Sequence, residues 1–131
     1  MNTAQHIPTP DSSSNLLALV ENLNQMILDG KILEAHDKHY AETVVQQENE
    51  DPPTVGKAAN RKREEEWLDK VTEFRTAQVK SVAIDPENEV AMVEWFFDYT
   101  HADWGERRYH QIARQQWKDG KIVHERFYYG R

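Results

Sequence analysis

Glu125 is the one carboxylate in the closing segment KIVHERFYY, and its neighbours two and four residues on are Phe127 and Tyr129. Side chains alternate along a strand, so these three share a face. If Lys118-Asp119-Gly120 closes as a three-residue turn with a bulge at Gly120, Ala113 faces Glu125, and Gln111, Gln115 and Trp117 join the same face. Glu125 is then a carboxyl among apolar and amide groups, where burial raises its pKa and suits it to proton transfer. Tyr129 or Tyr40 would serve as hydrogen-bond donor. A two-residue turn shifts the facing by one and sets Arg114 against Glu125, which would hold the carboxylate ionised. The competing reading makes Glu125 a hydrogen-bonded structural residue or an ion-pair partner.

Other chemistries find less support. His36 and His39 stand one helical turn apart, the start of a two-histidine metal site. No third ligand is positioned beside them, so no metal is expected, and no cofactor is implied. His36 shares a helical face with Leu33 and Tyr40, which places His36 and Tyr40 at a core or pocket edge. His101 and His110 read as loop or strand-edge residues. There is no cysteine, hence neither a disulfide framework nor a thiolate site. No Ser–His–Asp order, glycine-rich phosphate loop or zinc-helix motif occurs.

The elements that must position these residues follow from periodicity. Residues 1–14 are polar, hold two prolines and read as a disordered or loosely attached arm; residues 15–131 form a single domain. Leu16, Val20, Leu23 and Ile27, with Leu19 and Met26 beside them, make one helical stripe, capped by Ser14 or Asn15 and ended by Gly30. A second helix is expected over 31–42, a short strand over 43–47, and a third helix over 57–71 with Ala59, Trp67 and Val71 at helical spacing. The basic cluster at 61–63 and the acidic run at 64–66 read as the solvated face of that helix. From 74 the period becomes two: strands over 74–84, 90–100, 107–117 and 121–129, joined by a turn at 85–88 with Asn88 in its left-handed position, a loop at 101–106 and the Lys118-Asp119-Gly120 hairpin.

A net charge of −7 argues against nucleic-acid binding, which depends on neutralising phosphates. No apolar run reaches a membrane span, and no secretory signal is visible. A cytoplasmic protein is expected, with neither nucleic acid nor membrane as partner.

The order of elements, the segment DGKILEAHDKHYAETVV, the Gly56-Lys57 start of the third helix and the WKDGKIV hairpin together resemble the SnoaL-like branch of the nuclear transport factor 2-like superfamily. That resemblance implies a cystatin-like α+β conical half-barrel, its N-terminal helices packed on a strongly curved mixed or antiparallel sheet. It also implies a pocket inside the curl, and commonly a homodimer through the outer sheet face. Matching the last strand to the family's cyclases and epoxide hydrolase puts Phe127 where they carry an aspartate. Trp95 and Phe97 fall where the epoxide hydrolase carries an arginine and an aspartate. Aromatic rings cannot shuttle a proton as carboxylates do, which leaves Glu125 as the candidate acid or base.

The expected site therefore comprises Glu125 with a pocket of His36, Tyr40, Trp95, Phe97, Gln111, Gln115, Trp117, Phe127 and Tyr129. It would bind a small, partly apolar organic molecule and catalyse proton-transfer chemistry of the isomerase, dehydratase or cyclase type. The alternative is a non-enzymatic accessory or dimerisation module, its pocket filled by its own side chains. On the outer face, Glu94, Phe96, Asp98, Ile112, Arg114, Ile122, His124, Arg126 and Tyr128 mix charge with aromatics, as interfaces do.

Overall fold

The computed structural model describes residues 10–131. In chain order it contains α1 (Pro10–Leu28), α2 (Ile32–His39), β1 (Tyr40–Glu48), β2 (Thr54–Val55), α3 (Lys57–Lys70), β3 (Val71–Asp85), β4 (Val90–His101), β5 (Gly105–Lys118) and β6 (Lys121–Tyr129). Residues 1–9 of the expected arm lie outside the described residues. The first helix starts at Pro10 rather than near Asn15, with proline at the first helical position, where a missing N–H leaves no bond unmade.

The apolar stripe on α1 folds as its spacing requires. Leu16, Val20 and Leu23 are buried, and Leu19, Met26 and Ile27 pack beside them. Gly30 ends the helix with φ +80°: its N–H donates to Ile27 O at 3.0 Å and that of Lys31 to Met26 O at 2.8 Å, the Schellman pattern that glycine permits. The second helix stops at His39, three residues short of expectation. Tyr40 is already extended, with φ −107° and ψ 134°, and opens β1.

The six strands form an open mixed sheet in the order β2-β1-β6-β5-β4-β3. Strands β3 to β6 make an antiparallel meander, and β1 joins β6 in parallel. Three register shifts interrupt the β3–β4 ladder; bulges of this kind bend the strand and deepen the twist, giving the conical α+β form. The left-handed residue of the β3–β4 connection is Glu89 (φ +55°) and not Asn88, whose side chain instead binds Asp85.

Neither turn expected between β5 and β6 occurs alone. Lys118 pairs with Lys121 across a two-residue turn, and a bulge then shifts the ladder, so that Gln115 faces Glu125 and Ala113 faces Phe127. Asp119 and Gly120 both have positive φ (52° and 77°), as a type I′ turn demands. The bulge restores the inward facing of Glu125, Phe127 and Tyr129 that the three-residue turn would have produced. It also corrects one outer-face assignment: Ile122 turns inward and is 0% exposed, part of the core with Val44, Val93, Trp95 and Trp117. Among the described residues no helix is long and apolar enough to cross a membrane.

Candidate functional site

The concave face of the sheet divides into a sealed floor and an open cleft. Glu125 is the centre of the floor, 2% exposed. Its Oε1 accepts from Tyr40 Oη at 2.5 Å and from Gln46 Nε2 at 2.9 Å, and its Oε2 accepts from Gln115 Nε2 at 2.9 Å. The strands dictate these partners, because Gln46 is the parallel neighbour of Glu125 on β1 and Gln115 its antiparallel neighbour on β5.

Two further side chains fix these amides from behind. His36 Nε2 lies 3.3 Å from Gln46 Oε1, and Trp117 Nε1 donates to Gln115 Oε1 at 3.0 Å. With each amide oxygen occupied by a donor, each amide nitrogen is turned toward the carboxyl. The His36 and Tyr40 rings stack at 4.4 Å. Burial raises the pKa of Glu125, while the bonds from Tyr40, Gln115 and Gln46 pull against that rise. Burial first, and then the adjacent Glu125, hold the Tyr40 phenol well above its ordinary range. Burial lowers His36, which keeps it neutral. His39 bonds Asn22 Oδ1 at 2.8 Å instead of joining His36, so the two histidines serve different networks.

Beside this floor a cavity of about 340 Å³ opens between α3 and the strands, within the usual range of small-molecule pockets. Phe97, Gln111, Phe127 and Tyr129 line it. Glu125, His36, Tyr40, Trp95, Gln115 and Trp117 do not line it; they are buried behind it, and Gln46 connects the two regions because it borders the cavity and bonds Glu125. Trp95 stacks on Phe97 at 5.3 Å and so supports that wall from the core. The interior is thus filled at the Glu125 end and open at the other.

The cleft also holds residues outside the expected site. Tyr99 and Tyr109 share a 2.8 Å hydroxyl contact, and Trp67 stands edge-on to Tyr99 at 5.1 Å. Of the expected α3 stripe Trp67 is partly buried and lines the cavity, but Ala59 is exposed, and Asn60 (buried) and Glu64 (partly buried) turn inward instead. The spacing of Asn60, Glu64 and Trp67, four and then three residues, is helical, but two of the three are polar, and a hydropathy pattern passes over them. At the rim, Arg63 pairs with Glu48 at 2.6 Å and Lys70 with Asp103 at 2.6 Å, while Tyr129 Oη donates to Glu48.

This arrangement defines an α+β cone with a side-opening, aromatic-walled cleft. The chain belongs to the SnoaL-like domain family, whose model matches residues 16–129. No curated protein matches it significantly. Solved structures share the fold. A protein from Mesorhizobium loti described as a SnoaL-like polyketide cyclase is 21% identical, with a TM-score of 0.78, and the match covers 87% of this chain and 98% of that one. A protein from Xanthomonas campestris described as a polyketide cyclase is 18% identical, with a TM-score of 0.76 and coverage of 91% and 93%. An LEH-like epoxide hydrolase from M. tuberculosis is 12% identical, with a TM-score of 0.71 and coverage of 89% and 84%.

Proposed function

We propose that this protein binds a compact, partly apolar organic molecule in the cleft and acts on it by proton transfer of the isomerase, dehydratase or cyclase type. The observation that carries the reading is a cavity of about 340 Å³ whose aromatic walls converge on Gln46, Asn60 and Glu64. Apolar walls supply affinity, and a few fixed polar groups supply orientation. Glu125 contributes from beneath: by anchoring Gln46 it fixes the amide that the ligand meets. Its own carboxyl oxygens are enclosed by three donors.

The test is displacement of a cleft-bound fluorescent dye by a panel of small ketones, epoxides and enones. Trp67→Ala should weaken displacement by about tenfold, the loss expected for one aromatic contact. If no member of the panel competes at millimolar concentration, the binding reading fails.

We also propose a homodimer through the outer sheet face. Met92 and Tyr128 are exposed there at 45% and 41%, amid the Arg75–Asp98 and His110–Glu94 pairs. A monomeric mass by light scattering at micromolar concentration would count against it.

A further inference from the structure

The cleft holds a carboxyl that the described residues leave unpaired. Of the acids on its wall, Glu48 is bound by Arg63 and Tyr129, Asp103 is bound by Lys70, and Glu66 is exposed. Glu64 is partly buried, borders the cavity, and makes no hydrogen bond or ion pair with any described residue. A partly buried carboxyl with no protein partner is left available to a ligand in the cavity.

One turn earlier on α3, Asn60 is 3% exposed and directs its amide hydrogens to the carbonyls of Thr54 and Gly56, at 2.9 and 2.8 Å. Its Oδ1 has no partner. Residues four apart on a helix are neighbours, so Glu64 and Asn60 lie on the same face of α3. On the other side, Trp67 provides a flat apolar surface one turn further along.

We propose that Glu64 is the proton acceptor and donor of this cleft, acting on carbon acids of aromatic or enone type; this rests on the binding reading above. Ionised, Glu64 takes a proton from a substrate carbon. The C–H bond breaks, its electron pair moves into the adjacent π-system or leaving group, and the carboxyl returns the proton in a later step. Its surroundings suit the task. Burial first, then the charges of Glu125 on β6 and Glu48 on β1, raise Glu64 to about 7 against the lowering pull of Arg63. From β5, Arg107 faces the same cavity, its guanidinium 4.8 Å over the Tyr109 ring. Near neutral pH both protonation states are populated, the condition under which acid–base catalysis is most efficient.

The probe is 5-nitrobenzisoxazole, a planar carbon acid. A base removes its C3 hydrogen, the electron pair forms the nitrile, and the N–O bond breaks to release a coloured phenolate. The expected result is an acceleration that rises through about pH 7. It should fall about a hundredfold in Glu64→Gln, the size of a general-base contribution, and return in part in Glu64→Asp. Glu87→Gln, in the exposed turn between β3 and β4, should leave both the rate and the midpoint unchanged. Unchanged rate and midpoint in Glu64→Gln overturn the assignment. A probe that quenches tryptophan fluorescence without being accelerated overturns it alone. A probe that neither binds nor reacts overturns the binding reading along with it.

Discussion

Glu64 borders the cleft and Glu125 lies buried behind it, and the two glutamates differ in what surrounds them. Glu125 accepts three hydrogen bonds and is closed off from solvent. Glu64 accepts none from the described residues and borders open volume. Both have raised pKa values with burial as the first cause, so titration alone does not distinguish them. Partnership does. A satisfied buried carboxyl rigidifies its surroundings, and an unsatisfied one beside a cavity is left available to a ligand.

Four expected outcomes follow, in descending size. Glu125→Ala strands the Tyr40 hydroxyl and two glutamine amides in the core, and should cost about 3–5 kcal/mol in urea denaturation. An unchanged urea midpoint, with ligand binding lost, would reverse the roles assigned to the two acids. Trp67→Ala should weaken cleft binding by about 1–1.5 kcal/mol, measured by dye displacement, and a stability loss without a binding loss would place that ring in the core instead.

Glu64→Gln should act on stability in a pH-dependent way. Because its folded pKa of about 7 lies above the ordinary 4.5, its favourable contribution is complete below 4.5 and is lost as pH rises through 7. The variant should match the wild type below pH 4.5 and become the more stable protein above 7. A shift of that size in a fully enclosed group is worth about 3 kcal/mol; solvent reaching Glu64 from the cavity reduces the expectation to about 1 kcal/mol. Thermal melts across that range, with the two curves remaining parallel, would show that Glu64 is ordinarily solvated. Smallest is Asp103→Asn at the rim. Its bond to Lys70 joins two half-exposed side chains, and the stability change should stay within about 0.5 kcal/mol, a control for the larger effects.

Much of the fold was legible because its signals are local. The α1 stripe, the Gly30 stop and the period-two run from β3 to β6 each need only a few neighbouring residues. Helix α2 was read too long because Tyr40 continues the stripe of Leu33 and His36, yet its backbone is drawn into β1 beside β6. The turn residues indicated a hairpin but not the bulge behind it. That bulge turned Ile122 inward and set Gln115 rather than Ala113 or Arg114 opposite Glu125.

The primary structure by itself determined the order of helices and strands, the family, and that Glu125, Phe127 and Tyr129 share one face, since alternation and helical spacing are written in consecutive residues. Only the tertiary structure decided which acid meets the cavity. Solvent access and hydrogen-bond partners arise between β1, β5, β6 and α3, from residues as far apart as Tyr40 and Glu125, and no local pattern encodes them.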